Sequence, residues 1–302
     1  MAGGVGAARL LAGLVRVLPP AEITAIVNVG DDLELHGLHV SPDLDTVTYT
    51  VAGAIDPERG WGLAGETWHA MEALSRYPKA ATWFNLGDRD LATHLYRTDR
   101  LRSGARLSSV TAEIATAWGL DCTLLPATDD AVRTRVTVAD GEIDFQEYFV
   151  HRQHDVAVSS VRFDGAESAS PGPGVLDAIA GAERLVIAPS NPIVSIAPVL
   201  AIPGIRAAAE ARRDQTVAVS PIIAGAALKG PADRLLRELG HESSVVGIAR
   251  LYAPLAATLV VDEADADQAT LVEAEGVRCV VAPTIMRGPD EAAALARTVL
   301  TA

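Results

Sequence analysis

The amino-acid sequence predicts an α/β fold: a Rossmann-like, mainly parallel sheet with helices on both faces, plus an inserted helical subdomain and an edge hairpin. Two observations favour it. The glycine-rich residues 3–6 (Gly-Gly-Val-Gly) lead into a helix and then a buried strand. Further short apolar runs alternate with helical stretches, which is typical of parallel sheets covered on both faces. We expect residues 1–40 and 120–302 to form the core, with residues 41–119 as the insert.

The first elements of the core follow from the apolar pattern. Leucines at helical spacing predict a helix over residues 7–17, and the apolar run at residues 23–27 predicts a buried strand. A strand is also expected before the glycines. Because only Met1 and Ala2 stand there, we expect that strand to be shortened, replaced or missing. Five further buried strands are predicted at residues 184–188, 216–219, 244–248, 258–261 and 278–281.

The predicted insert carries helical patterns without convincing strands. Ser41 can N-cap a helix that has Pro42 at its first position. Three more helices are predicted at residues 66–77, 88–100 and 108–118. After the insert, residues 132–138 and 142–150 alternate polar and apolar side chains around an Ala-Asp-Gly turn. This pattern predicts a hairpin that extends the edge of the sheet.

The composition is that of a folded, acidic protein. Of its 302 residues 49% are hydrophobic and 21% charged, and the net charge is −14. This charge opposes binding to nucleic acid or to anionic membranes. No apolar run reaches the roughly 18 residues of a membrane span and the sequence starts without a signal-peptide pattern, so we expect a cytoplasmic protein. Cys122 and Cys279 stand alone, as free thiols do in a reducing compartment.

Two acidic segments follow the glycines, and together they predict a nucleotide site with a metal ion. They are residues 28–32 (Asn-Val-Gly-Asp-Asp) and 41–46 (Ser-Pro-Asp-Leu-Asp-Thr). Glycine N–H groups at a helix N-terminus can surround phosphate oxygens, and carboxylates are hard ligands for a divalent cation. The competing interpretation is helix capping, which explains Asp43 better than Asp45. Because residues two apart do not share a helix face, we expect one of them to point into the site and the other to cap.

A second polar cluster, residues 85–90 (Asn-Leu-Gly-Asp-Arg-Asp), is a candidate for ligand contacts. Arg89 offers a guanidinium fork for a phosphate or a carboxylate, while Asn85 or Asp88 offers polar contacts. The alternative is that the aspartates cap a helix and that Arg89 forms a surface ion pair.

A third cluster follows a predicted strand, where ligands of open α/β sheets bind. There, Ser190 and Asn191 stand between two prolines and offer hydrogen bonds to a base or a phosphate. A turn with a helix cap is the alternative. A similar proline-containing segment, residues 220–225, follows the next predicted strand. The Lys-Gly-Pro of residues 229–231 comes shortly after it.

In this order the segments resemble the 2-phospho-L-lactate transferase family of coenzyme F-420 biosynthesis, also called CofD or FbiA. The resemblance rests on six segments spread over most of the chain: residues 3–9, 28–32, 42–46, 86–94, 189–192 and 220–223. It is far more specific than the glycine loop alone. It implies a transferase of substituted phosphate groups. Such an enzyme moves a phospho-lactate or phospho-enolpyruvate group from a guanosine diphosphate-linked donor to the deazaflavin Fo and releases GMP.

The resemblance also implies roles for particular residues. Asp45 would bind Mg²⁺ or activate the Fo hydroxyl, with Asp43 and Asp32 as further candidates. Asp45 and Asn85 would contact Fo, so that the insert completes the acceptor site. Contacts to the diphosphate and the guanosine are expected from Gly3, Gly4, Gly6, Asn28, Ser190 and Asn191. A homodimer is implied as the assembly.

Other classes stay open at this point. A sister family typified by YvcK binds nucleotide sugars and regulates without catalysis, although the acidic residues 43–45 and 87–90 argue against it. A dinucleotide-dependent dehydrogenase is disfavoured because the glycine spacing is incomplete and no acidic ribose ligand is cleanly placed. The sequence does not separate lactyl, enolpyruvyl and glyceryl donors. Residues 60–68 look like the actinobacterial branch, which favours a donor derived from phosphoenolpyruvate.

Overall fold

The computed structural model describes residues 1–302 and has an α/β architecture with a parallel sheet and many helices, as predicted. The strands are β1 (Thr24–Val27), β2 (Leu33–Leu35), β3 (Leu38–Val40), β4 (Thr123–Pro126), β5 (Arg133–Val138), β6 (Gly141–Asp144), β7 (Ser160–Asp164), β8 (Leu185–Ile187), β9 (Thr216–Val219), β10 (Ile222–Ile223), β11 (Ala226–Ala227), β12 (Thr258–Val261) and β13 (Arg278–Val281). The helices are α1 (Gly4–Leu14), α2 (Pro42–Val51), α3 (His69–Leu74), α4 (Asp90–Arg102), α5 (Leu107–Ala117), α6 (Val175–Gly181), α7 (Ala197–Ala201), α8 (Ile205–Glu210), α9 (Ala232–Glu238), α10 (Val245–Tyr252), α11 (Ala269–Ala274) and α12 (Pro289–Thr301).

The shortened first strand is present as Met1 and Ala2, which lie between β1 and β8. The Ala2 N–H donates to the Ile26 carbonyl at 2.8 Å, and the Ala188 N–H donates to the Met1 carbonyl at 3.1 Å. These bonds join the parallel pair β1-β4 to the parallel sheet β13-β12-β9-β8. The carboxyl ends of the parallel strands therefore meet at one edge, beside the glycines.

Helices cover both faces because alternate residues of the buried strands point to opposite sides. In β12, Val260 packs in one hydrophobic cluster, whereas Leu259 and Val261 pack in the other. The first cluster includes buried residues of α1, α2, α5 and α12, and the second includes residues of α6 through α11. None of the helices has the length and the apolar surface needed to cross a bilayer.

The strand predicted at residues 244–248 is wrong, because most of these residues form the start of α10. The Ser244 hydroxyl accepts a hydrogen bond from the Gly247 N–H at 3.0 Å, and this N-cap starts the helix. Residues 245–249 are all buried, and an apolar run this short does not distinguish a buried helix from a buried strand. The other predicted strands and the four predicted helices of the insert are confirmed within a few residues.

The predicted hairpin is present as β5 and β6, but its second strand ends at Asp144. The chain then forms a single π-helical turn, Glu147–His151. β7 adds to the other side of β5, giving a three-stranded antiparallel sheet. This sheet is separate from the parallel one and does not extend its edge.

Helices α1 and α12 approach so closely at Gly13 that a Cβ atom there would lie 2.2 Å from the Ala292 carbonyl oxygen. We expect Gly13→Ala to lower the free energy of unfolding by about 1–3 kcal/mol, because two helix backbones must move apart. Urea denaturation measures this change. The matched control is Gly181→Ala at the end of α6, where nothing lies within 4 Å of the new methyl group. Its stability should stay within about 1 kcal/mol of the wild type, and equal losses in both variants would contradict the packing argument.

Candidate functional site

A cavity of about 580 Å³ opens at the carboxyl edge of the parallel sheet. Part of its lining comes from segments that follow parallel strands, including parts of residues 3–6, 189–195, 220–223 and 284–286. Helices α2 and α4 add polar side chains, and Phe145 and Phe149 add stacked aromatic rings. The volume is in the range of small-molecule sites.

Most of the residues singled out from the sequence meet in this cavity. Its lining includes Gly3, Gly4, Gly6, Asp43, Asp45, Asn85, Ser190 and Asn191. Asn28 and Asp32 are buried but are not part of the lining. The Asn28 amide donates to Asp43 Oδ2 at 3.0 Å, and Asp32 accepts a hydrogen bond from the Ser41 hydroxyl at 2.8 Å. Asn28 therefore acts on the site through Asp43.

Asp88 and Arg89 do not line the cavity, contrary to the ligand contacts expected of them. The Asp88 carboxylate accepts hydrogen bonds from the N–H groups of His69 and Ala70, both at 2.9 Å, and so caps α3. The Arg89 guanidinium donates to the Ala64 carbonyl at 2.8 Å. Both polar groups are thus engaged within the insert.

The glycine segment is fixed by close packing. A Cβ atom on Gly3 would lie 2.7 Å from Ser195 Cβ, and one on Gly6 would lie 2.3 Å from the Pro189 carbonyl oxygen. The Gly4 N–H donates to Asp43 Oδ1 at 2.8 Å, so this amide is already used. The following N–H groups in the first turn of α1 have no acceptor within the helix and can receive an anion.

Asp43 and Asp45 both face partners at the site, so the expectation that one of them caps α2 is wrong. Their side chains leave α2 in different directions. Asp43 turns toward the start of α1, where Gly4 donates to it. Asp45 turns toward α4 and forms a two-pronged ion pair with the Arg97 guanidinium, in which Nη1 lies 3.1 Å from Oδ2.

One face of α4 carries a buried polar network that the sequence reasoning largely missed. Asp90, His94 and Arg97 lie at positions i, i+4 and i+7, and Arg97 is only 1% exposed. The Tyr49 hydroxyl donates to Asp90 Oδ1 at 2.6 Å, and His94 Nε2 lies 3.1 Å from Asp90 Oδ2. The helical spacing of the three residues was the available signal. Burial of an arginine, however, cannot be inferred from spacing alone.

Burial keeps the carboxylates of the site from ionising easily. It raises the pKa of Asp43 to about 6, although hydrogen bonds from Asn28 and Gly4 oppose the shift. Burial and the nearby charge of Asp43 raise the pKa of Asp31 well above its ordinary value. Burial also raises the pKa of Asp45, against the opposing charge of Arg97. The charged forms of these carboxylates are therefore disfavoured, and a positive charge beside them would favour ionisation.

Two groups of side chains are candidates for holding a divalent cation. Asp31 and Asp43 both line the cavity, and Asp31 Oδ1 is buried without a hydrogen-bond partner. Such an orphaned carboxylate oxygen fits a hard cation such as Mg²⁺.

The second group is Asp45, Asp90 and His94, whose ligand atoms all lie within 4.8 Å of one another. Here the Asp45 oxygens face Arg97, and those of Asp90 contact Tyr49 and His94. A cation at this place would have to displace these partners. In the first group both Asp43 oxygens also accept hydrogen bonds, so the advantage of that group for Mg²⁺ rests on the free oxygen of Asp31.

Comparisons with known proteins agree with one another. A family profile described as "2-phospho-L-lactate transferase CofD" matches residues 1–284. The chain is 44% identical to a phosphoenolpyruvate transferase of Nocardia farcinica, over 99% of this chain and 92% of that protein. It is 46% identical to the protein of that name in Streptomyces coelicolor, over 100% of this chain and 96% of the relative. The Mycolicibacterium smegmatis protein of the same name is 42% identical, over 98% of this chain and 95% of that protein.

Among solved structures, the chain is similar to the protein BH3568 of Bacillus halodurans. One crystal structure of that protein has a TM-score of 0.64 at 16% identity, and covers 99% of this chain and 97% of its own. A second crystal structure, described as that of a member of the UPF0052 family, has a TM-score of 0.62 at 17% identity. It covers 99% of this chain and 96% of its own. At these identities the likeness concerns the fold.

Arg97→Met would leave Asp45 buried without its opposite charge. We expect the free energy of unfolding to fall by about 3–5 kcal/mol, as measured by chemical denaturation. The double variant Asp45→Asn, Arg97→Met removes both charges and should recover most of the loss. A double variant as unstable as the single one would contradict the assignment of this ion pair.

Asp31→Asn should stabilise the metal-free protein at pH 7.5. The pKa of Asp31 is raised in the folded state, so its charged form opposes folding above that pKa. We expect the Tm in the presence of a chelator to rise by at least about 2 °C, as measured by calorimetry. The gain should shrink as the pH falls through the raised pKa and vanish near the ordinary value of about 4.

The matched control is Asp290→Asn, because the Asp290 side chain is 92% exposed. This variant should show no pH-dependent gain. A gain in Asp31→Asn that is the same at pH 4 and pH 7.5 would refute the charge explanation.

Proposed function

The chain belongs to the 2-phospho-L-lactate transferase CofD family, and from that membership we propose its reaction in coenzyme F-420 biosynthesis. A phospho-enolpyruvyl or phospho-lactyl group passes from a guanosine diphosphate-linked donor to the deazaflavin Fo, and GMP leaves. Relatives named phosphoenolpyruvate transferase, 44–46% identical over nearly the whole chain, support the enolpyruvyl donor.

One observation carries the proposal beyond family membership. The N-terminus of α1 and the buried carboxylates Asp31 and Asp43 line the same cavity. A helix N-terminus favours phosphate oxygens, and paired carboxylates favour the cation that neutralises them. Positioning a diphosphate and neutralising its charge are what phosphoryl transfer mainly requires of a protein. This arrangement therefore favours phosphoryl transfer.

The donor binds with its diphosphate at the first turn of α1, where the N–H groups after Gly4 lack intrahelical acceptors. Ser190 and Asn191, at the end of β8, belong to the donor side of the cavity. Asn28 holds Asp43 in place through its amide group. Asp31 and Asp43 would hold Mg²⁺, which would supply neutralisation of the phosphate charge.

The acceptor Fo lies against the insert, near Asp45 and Asn85. Its side-chain hydroxyl attacks the phosphorus that carries the three-carbon acid. A new P–O bond to Fo forms, the bond from that phosphorus to the bridging oxygen breaks, and this oxygen leaves with GMP. The hydroxyl proton passes to Asp45, whose orientation Arg97 fixes through the two-pronged ion pair. The residues thus contribute mainly by positioning, as is usual in phosphoryl transfer.

Incubating the protein with the enolpyruvyl or lactyl donor, Fo and Mg²⁺ tests the proposal. We expect GMP formation that requires Fo, and mass spectrometry should detect the phosphodiester product. Binding of nucleotide sugars without any turnover would instead support the YvcK-like regulator. The family resemblance also leads us to expect a homodimer, which light scattering measures.

Asp45→Asn should lower kcat for GMP formation by at least about 100-fold, the usual effect of removing a group that takes a proton. The KM for the donor should change less, because Asp45 acts on the acceptor. Asp290→Asn is the matched control and should keep wild-type kinetics, since that carboxylate is on the surface. A kcat for Asp45→Asn within twofold of the wild type would remove the role given to Asp45.

A further inference from the structure

Two loops distant in sequence meet at the mouth of the cavity. The Lys229 ammonium donates to the carbonyl oxygen of Arg59 at 3.3 Å. Gly60 has a φ of +75°, and a Cβ atom on it would lie 3.0 Å from Lys229 Nζ and 3.5 Å from Val5 Cγ1. The ammonium group therefore lies close to the first turn of α1, the proposed position of the donor diphosphate.

The loop that receives Lys229 is held rigidly by its own arginine. The Arg59 guanidinium lies 2.8 Å from Asp56 Oδ2 and donates to the Leu63 carbonyl at 3.2 Å. It also lies 5.4 Å from the ring centroid of Trp61 and 5.1 Å from that of Trp68. The guanidinium group of Arg59 therefore interacts within its own loop. The loop contacts Lys229 through the carbonyl oxygen of Arg59, which these interactions hold in place.

Lys229 is a cation at the cavity mouth that keeps unused hydrogen-bonding capacity. Three lysine or arginine side chains contribute to the lining: Arg9, Arg59 and Lys229. Arg9 donates to the Met286 carbonyl at 3.0 Å, and Arg59 is engaged as described. An ammonium group has three N–H donors, and the bond to the Arg59 carbonyl uses one of them.

A donor with a three-carbon acid carries a carboxylate in addition to its diphosphate. The acidic side chains of Asp31, Asp43, Asp45 and Asp90 line the cavity and offer this group no positive charge. The N–H groups of α1 and a cation at Asp31 and Asp43 account for the diphosphate. The carboxylate therefore requires a separate positive charge near the start of α1, and Lys229 is in that place.

We propose that the Lys229 ammonium binds the carboxylate of the three-carbon acid of the donor, and that the Arg59 loop fixes its position. This assignment rests on the proposed function. It makes Lys229 a specificity-determining residue, which selects an acid over a neutral group of the same size.

Binding of matched ligands to Lys229→Met, measured by calorimetry, tests the assignment. The first ligand is GDP esterified at its β-phosphate with lactate. The second is the isopropyl ester of GDP, in which a methyl group replaces the carboxylate, and unmodified GDP is the third. We expect Lys229→Met to weaken the lactyl ester about tenfold and to leave the other two within twofold, because a hydrogen-bonded charge pair is lost only in the first.

Lys79→Met is the matched control, because Lys79 is the only other lysine of the chain and is exposed outside the cavity lining. It should bind all three ligands as the wild type does. If Lys229→Met weakened the binding of all three ligands equally, the assignment would be overturned, because Lys229 would then bind the diphosphate that they share. Unchanged binding of all three would overturn it as well.

The proposed function fails separately, if the wild type with Fo, donor and Mg²⁺ releases no GMP. The binding comparison alone decides the role of Lys229. Lys229 lies at the surface and makes one hydrogen bond, so the Lys229→Met variant should keep the wild-type Tm, which calorimetry checks before binding is measured.

Discussion

The free-energy cost of burying carboxylates constrains the structure at the carboxyl edge of the sheet. Ionised carboxylates are costly to remove from water unless they are paired or hydrogen-bonded. Three of the site aspartates have hydrogen-bond or ionic partners within the chain. Asp43 accepts hydrogen bonds from Gly4 and Asn28, Asp45 is paired with Arg97, and Asp90 contacts Tyr49 and His94. Asp31 keeps an oxygen without a partner. The three partnered carboxylates thus organise the protein, whereas the oxygen of Asp31 is the one on which we base the proposed cation site.

The parallel sheet was largely predictable because its strands are buried on both faces. Residues 217–219 and 259–261 are apolar throughout, and the strands that contain them are fully buried. The same rule failed at residues 244–248. There the buried first five residues of a helix have the same continuous apolar character, and the N-cap formed by Ser244 marks the helix start. The separate position of the antiparallel sheet depends on contacts between distant segments, which local patterns do not report.

The site was predictable where short segments follow strands, and less so inside the insert. Asp43, Asp45 and Asn85 line the cavity as the motifs suggested. Asp88 belongs to the same motif as Asn85, but its carboxylate caps a helix that begins nineteen residues earlier in the chain. Arg97 shows the converse case. Its sequence context is that of a polar surface helix, and only the tertiary packing of α4 against α2 makes it the partner of Asp45.

The tryptophans that pack against Arg59 give the protein an intrinsic fluorescent probe. Two of its four tryptophans, Trp61 and Trp68, lie close to the guanidinium group, and Trp61 is 42% exposed at the cavity mouth. The emission of an indole depends on its solvation and on neighbouring charge. Substrate that fills the mouth will dehydrate Trp61, so intrinsic fluorescence can follow the loading of the pocket in unlabelled protein.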